Sequence, residues 1–453
     1  MKWILAASFL LFLLLWLAFY PPTYAIVDEA IYFGMAFVLR SGHLFPDPTQ
    51  VADLYPWIHG RLVSLYPVGN SAAMVPFTFF GWRAAFLYPL LMHLLGAGIF
   101  LRLLRRHGLP AWGALLLLFY PANVLYSRTL MSDLPSQTLF LTALWLYQPK
   151  PKGMVVSGIC FGLLCFLRVA NIFLFLPLLL WSLIQALCRK SSPPNSLLLI
   201  AGFVPPALGL LALNQISTGS PWIFAYRYAF PEQTFFALKT FPGNVLTYLL
   251  ALTIMYPLML LAPFWAKRTL RGELWLTATG YFLAMSFYCY RYRRPNPIAE
   301  LFGQLRFLLP IIPLFLLSYV DLLDVLVCRW SLRLRALGLI LLVLVLVGGN
   351  TLVVVRHQEV LRFQEAERRI IYENTSEGST LAYDRAFVRF IQSAWGQRTF
   401  LVVPRDSLSR ILRKAPRDAP LFYLQESHQA IPDDTLKPVP IAAASEFRLL
   451  RIR

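Results

Sequence analysis

The chain has 453 residues, of which 58% are hydrophobic and only 14% charged, with a mean hydropathy of +0.60. That composition excludes an ordinary soluble globular protein, and apolar runs of about 18 or more residues recur, each able to cross a bilayer as a helix. The net charge of +19 does not point to nucleic acid, because much of it sits in short loops between apolar runs, where positive charge sets membrane orientation.

The first apolar run, residues 3–20, lacks a small-x-small cleavage site and leads past Pro21-Pro22 into an acidic pair, so it reads as a retained span rather than a signal peptide. Further stretches at roughly 83–104, 109–127, 132–148, 153–168, 170–187, 196–213, 244–265, 273–290, 307–327 and 336–355 bring the expectation to about eleven spans. One set of loops is short and basic: Arg102/Arg105/Arg106, Lys150/Lys152, Arg189/Lys190, Lys267/Arg268/Arg271 and Arg329/Arg333/Arg335, with Glu273 its only acid. The positive-inside rule assigns these loops and the N-terminus to the cytoplasm. The other set, 21–82, 128–131, 168–170, 214–243, 291–306 and the tail from 356, is then extracytoplasmic. The five cysteines lie in or beside apolar runs and imply no disulfide framework.

Loop 21–82 is rich in proline and aromatics and holds two amphipathic stretches, around 28–40 and 71–80, suited to lying along the interface. The tail changes character, with 12 acids and 16 bases, strand-like runs at 400–403 and 421–424, and helical patterning at 357–373 and 384–395. The expected fold is an all-α polytopic membrane protein with a small C-terminal extracytoplasmic α/β domain. Residues 1–355 form the membrane portion, and 356–453 form the soluble domain.

Residues 1–355 hold only ten acids, so Asp28-Glu29 at the membrane edge is conspicuous. A carboxylate there suits general-base chemistry on a lipid-borne substrate; an acidic cap on the following helix is the plainer reading. Asp133, in Met131-Ser132-Asp133-Leu134-Pro135, is either a helix N-cap or a second carboxylate that orients the acceptor or helps bind a divalent metal. Tyr290-Arg291-Tyr292-Arg293-Arg294 and Arg306 place guanidiniums on the face where positive charge is normally scarce. Their forked geometry suits phosphate oxygens, bound or leaving, and contact with anionic headgroups or pairing with Glu300 is the alternative. His59, Arg61, Tyr66 and Arg128 complete the outward set as candidate substrate contacts, and Arg168 reads as an interface snorkeller or, alternatively, a partner for an outside acid. No His/Cys/Asp/Glu spacing matches a closed metal site. No cofactor is required, and a divalent metal is compatible with the carboxylates. There is no Gly-rich phosphate loop and no nucleotide-binding fingerprint.

Several stretches together resemble the GT-C class of integral membrane glycosyltransferases, in the branch of protein O-mannosyltransferases and lipid A aminoarabinose transferases. They are Asp28-Glu29-Ala30-Ile31-Tyr32 followed by Leu39-Arg40-Ser41-Gly42, Tyr66-Pro67-Val68-Gly69, Ser132-Asp133-Leu134-Pro135, Leu167-Arg168-Val169-Ala170-Asn171, Asn214 with Gly219-Ser220-Pro221, and Arg306-Phe307-Leu308-Leu309-Pro310-Ile311-Ile312-Pro313. The resemblance covers about residues 1–355 and rests on the order and shared side of these landmarks. It implies a polyprenyl-phosphate-sugar donor, a lipid, glycan or protein acceptor, and catalysis on the outer face of a bacterial inner or plasma membrane. It also implies Asp28 as catalytic base, Glu29 and Asp133 as supporting acids, and Arg306 with Arg291, Arg293 and Arg294 on the donor phosphate.

The expected reaction is inverting. An acceptor gives its proton to Asp28 as it attacks the anomeric carbon, and phosphate leaves from the opposite face through an oxocarbenium-like transition state. The rivals are a transporter or flippase of lipid-linked glycans and a ligase using a lipid-pyrophosphate donor. Transporters show repeated halves and polar groups at mid-bilayer, whereas the unusual ionisable residues here gather on one face and no repeat is visible.

Overall fold

The computed structural model describes residues 2–46, 55–148, 150–188, 193–232, 234–265, 272–289, 297–328, 330–376, 378–383, 399–402, 420–426, 439–443 and 447–452. Arg291, Arg293, Arg294 and the helical patterning at 384–395 lie outside them. The chain divides into two compact units: residues 1–20, 86–213 and 232–356, and residues 21–85, 214–231 and 357–453.

The first unit is helical. Over the described residues, five helices are long and apolar enough to cross a membrane: Trp82–Arg106, Val169–Leu187, Asn195–Thr218, Leu301–Val327 and Arg333–Asn374. Trp3–Ala18 and Pro151–Leu167 are apolar and shorter. Prolines interrupt other apolar runs. The stretch expected as one span at 109–127 is a 3₁₀ turn, Ala111–Gly113, then helices Ala114–Leu118 and Pro121–Tyr126. Pro121 has no N–H to continue the preceding helix and forces Tyr120 into extended backbone (φ −65°, ψ 120°). The stretch at 244–265 likewise breaks after Phe241–Met255, where Pro257 holds Tyr256 extended (φ −139°, ψ 107°).

Carbonyls freed by such breaks need donors in an apolar interior. The Tyr256 hydroxyl donates to the Leu116 carbonyl at 2.9 Å, and Asn350 Nδ2 donates to the Phe119 carbonyl at 2.7 Å. One break thus supplies a donor for the other. Elsewhere small residues allow backbone contact: a Cβ at Gly158 would lie 2.1 Å from the Leu199 carbonyl oxygen, and one at Gly202 would lie 2.0 Å from that of Val155.

The second unit gathers three distant stretches of chain around a five-stranded sheet. A hairpin of β1 (Trp57–Ile58) and β2 (Arg61–Leu62) turns at His59 (φ 47°) and Gly60 (φ 78°), the paired positive φ of a two-residue I′ turn. Helices Val27–Arg40 and Gly69–Thr78, close to the two expected amphipathic stretches, pack on each other. In the tail, β3 (Thr380–Tyr383), β4 (Thr399–Val402), β5 (Leu421–Glu426), β6 (Val439–Ala443) and β7 (Phe447–Arg451) take the order β4-β3-β5-β7-β6. β3 is parallel to β4 and β5, and β7 is antiparallel to β5 and β6.

Among the described residues, the sheet's buried side chains share their core with other segments. Leu381, Phe422, Leu424 and Leu449 bury themselves with Ile371 of the tail helix and with Ile31, Tyr55 and Leu62 of the first loop. Each such side chain contributes roughly 1.5–3 kcal/mol. The helical patterning at 357–373 belongs to a single helix, Leu332–Asn374, that also contains the expected span 336–355. No proline stands between Leu332 and Asn374 to end it.

Candidate active site

In the second unit, helix Val27–Arg40 opens on the acidic pair and separates its members, because successive helical residues point about 100° apart. Asp28 is half-buried and accepts a hydrogen bond from the Tyr66 hydroxyl at 2.9 Å. Tyr66 stacks on Tyr32 (centroids 4.9 Å apart, 24° between planes) and lies 6.1 Å from Tyr226. Burial, with the Asp28 charge next in weight, raises the Tyr66 hydroxyl well above its ordinary range, so it stays a donor. Glu29 is 1% exposed and turns back to accept the Ala25 N–H at 2.9 Å. This bond ties the first turn to the residue ahead of the N-cap position, Ile26, which makes no side-chain cap.

In the first unit, Asp133 opens helix Asp133–Leu146 one residue after the N-cap position, which Ser132 occupies without a side-chain cap bond. The Asp133 carboxylate instead pairs with Arg168 Nη1 at 2.5 Å. This overturns the N-cap reading of Asp133 and, of the two readings of Arg168, favours an acid's partner over a snorkeller. Arg168 follows helix Pro151–Leu167 in extended backbone (φ −161°, ψ 124°). The adjacent Asn171 amide donates to Ser136 Oγ and to the Leu164 carbonyl, each at 2.9 Å. The turn is thereby held against the start of the Asp133 helix. Burial disfavours the Arg168 charge, the Asp133 carboxylate favours it, and the net effect raises the guanidinium above its ordinary value.

Arg306 is 7% exposed at the start of the 3₁₀ turn Arg306–Ile311. Its guanidinium carbon lies 4.9 Å from the Phe307 ring centroid, and that of Arg168 lies 4.6 Å from the same ring. Tyr281, fully buried, lies within electrostatic reach of Arg168 and Asp133. Gln137 Nε2 donates to the Leu309 carbonyl at 2.5 Å, and the Asn123 amide donates back to Gln137 Oε1 at 2.7 Å. This buried amide pair ties the turn carrying Arg306 to the helix carrying Asp133. Among the described residues, the Arg168 and Arg306 guanidiniums both face the Phe307 ring, and guanidinium forks suit an anion.

The remaining sequence candidates have other surroundings. Arg128 is 1% exposed and donates from Nη1 to the Phe19 carbonyl, just past the end of helix Lys2–Ala18, and burial pushes its guanidinium down to about 10. The His59 ring lies in the hairpin turn, with Nε2 3.0 Å from the Thr218 carbonyl oxygen. Arg61 lies over the Phe45 ring at 5.1 Å. The structure therefore joins Asp28 with Tyr66, and Asp133 with Arg306 through Arg168 and Phe307. It adds Tyr226 and Tyr281, which the sequence did not single out, and it brings in Tyr32, Arg168 and Phe307, which stand inside the resembling stretches. Among the described residues no three His, Cys, Asp or Glu side chains group to hold a metal ion.

No protein-family model matches the chain, and no curated protein matches it. Solved structures do. ArnT from Cupriavidus metallidurans, in the apo state and bound to undecaprenyl phosphate, aligns with a TM-score of 0.67 at 14% identity, over 100% of this chain and 98% of that one. From end to end, the chain shares the fold of those ArnT structures.

Proposed function

We propose that this protein is an integral membrane glycosyltransferase that moves a sugar from a polyprenyl-phosphate donor to a lipid, glycan or protein acceptor on the extracytoplasmic face, with inversion. The observation that carries the proposal is the full-length fold likeness to a protein solved with bound undecaprenyl phosphate. Asp28 is the general base. It takes the proton of the acceptor hydroxyl or amine as the new bond to the anomeric carbon forms. The bond from that carbon to phosphate oxygen breaks, and the phosphate leaves with the electron pair. Tyr66 holds the carboxylate in position and keeps its own proton. Arg306, with Arg291, Arg293 and Arg294, neutralises the charge that develops on the leaving phosphate, and the Asp133–Arg168 pair holds the Phe307 platform beside Arg306. The N-terminus is cytoplasmic and the tail extracytoplasmic, as the basic loops require.

Purified protein in lipid nanodiscs, given polyprenyl-phosphate sugars and envelope glycolipid acceptors, is expected to yield a glycosylated product by mass spectrometry. Asp28→Asn should lower the rate about 10²–10⁴-fold while leaving elution and donor binding unchanged. Full activity in that variant removes Asp28 from the mechanism. Labelled-lipid translocation by the parent protein without any transfer replaces the enzyme with a transporter.

A further inference from the structure

Within the second unit, the segment just before Asp28 is held from the tail. The Ala25 peptide is clamped on both sides: its N–H donates to Glu29 Oε1 at 2.9 Å, and its carbonyl accepts from Gln364 Nε2 at 3.1 Å. One residue further along the tail helix, Glu365 is 6% exposed and accepts two hydrogen bonds from Arg368, at 2.6 and 2.8 Å. Arg369 and Arg83 lie 3.5 and 3.6 Å from the same carboxylate. The Arg368 guanidinium stacks 5.4 Å from the Trp82 centroid and 5.1 Å from that of Tyr372. Tyr24, 2% exposed, packs edge-on to Trp82 at 6.5 Å and within electrostatic reach of Tyr372, Arg368, Glu29 and Glu365.

We infer that the end of the tail helix, through Gln364 and the Glu365–Arg368 pair, fixes the start of helix Val27–Arg40 and thereby sets where the Asp28 carboxylate points, with Glu29 a positioning residue rather than an acid of the reaction. The sequence around Asp28 supplies little of this by itself. Pro21 and Pro22 donate no backbone hydrogen bonds, and Ile26 at the N-cap position makes no side-chain cap. The Ala25 clamp therefore helps to place the first turn, beside the Tyr66 hydrogen bond to Asp28. A general base acts only when its oxygen meets the acceptor proton, so a small shift of that turn costs rate more than binding. The soluble tail is in this account part of the catalytic frame.

The inference rests on the reading of Asp28 as base, and its test separates the two. Gln364 is half-exposed in mid-helix, so Gln364→Leu keeps volume and helix propensity while removing the donor. Gln364→Lys restores a donor of similar reach. Hydrogen–deuterium exchange on the full chain in nanodiscs should show amides 25–31 opening about tenfold faster in Gln364→Leu, with the rest of the second unit unchanged and Gln364→Lys close to the parent. Sugar transfer by Gln364→Leu should fall roughly 10- to 100-fold in kcat with KM for the donor lipid preserved, and recover in Gln364→Lys. Parent-like exchange over 25–31 overturns the clamp whatever the protein's activity. Faster exchange with unchanged kcat overturns its catalytic role. Opening of the whole unit, repeated in Gln364→Ala, makes Gln364 a stability element and overturns positioning. A parent without transfer activity overturns the enzyme reading, and the exchange result still decides the clamp.

Discussion

At the scale of single residues, two carboxylates adjacent in sequence have different surroundings. Asp28 is half-buried under the Tyr66 hydroxyl, and Glu29 is buried and bonded to backbone. The acidic pair was legible in the sequence, but which member faces the tyrosines depends on which side of the helix is covered. Tyr66→Phe keeps the ring stack on Tyr32 and deletes only the hydrogen bond to Asp28. A hydrogen bond to a charged group contributes about 1.5–3 kcal/mol, so transfer should fall by an order of magnitude or more, measured as kcat. Because the Tyr66 hydroxyl titrates well above its ordinary range, the parent's pH–rate profile should show no limb from this group up to about pH 10. The Asp133–Arg168 pair carries a second prediction. Asp133→Asn strips the carboxylate from a guanidinium that is 18% exposed and should destabilise by up to about 3–5 kcal/mol. Adding Arg168→Met should recover much of that loss. A double-mutant cycle in thermal unfolding checks it, and additive losses would deny the coupling.

At the scale of elements, an apolar run and a helix are not the same object. Hydropathy averages over Pro121 and Pro257, so 109–127 and 244–265 read as single spans, while backbone chemistry divides both. The prolines were visible in the sequence. What was not visible is that the broken ends are compatible with an apolar interior, because Tyr256 and Asn350 come from distant helices to satisfy the freed carbonyls. The crossing of Pro151–Leu167 with Pro193–Thr218 depends on backbone contact at Gly158 and Gly202. Gly158→Leu should abolish folded yield in fluorescence size-exclusion profiles. Gly98→Leu, whose Cβ would meet nothing within 4 Å, should leave the profile intact. Equal tolerance of both would show that the helices can part without cost.

At the scale of the whole molecule, the five-stranded sheet shares its core with distant segments. Its inward residues are buried with Ile31, Tyr55 and Leu62 from the first loop and Ile371 from the tail helix. The loop's length was obvious from the sequence, but its burial under the tail was not. Deleting residues 375–453 should expose that apolar set and make 21–85 cleavable by limited proteolysis, with the helices of the first unit still protected. Protection of 21–85 in the truncated protein would show that the loop folds without the sheet. The fold likeness to ArnT runs over both units.

The sequence by itself determined that this is a polytopic membrane protein, because twenty apolar residues in a row have few stable places outside a bilayer and hydropathy is a local property. It also determined the tail's strand-forming runs near 400 and 421, by β-branched and aromatic composition. Tertiary structure alone decided that Asp133 spends its charge on Arg168, that Tyr66 meets Asp28, and that Gln364 reaches Ala25 across 339 residues of chain. A hydrogen bond or ion pair depends on angstrom-scale distance between side chains, and residue spacing along the chain carries no such information once the partners lie on different elements.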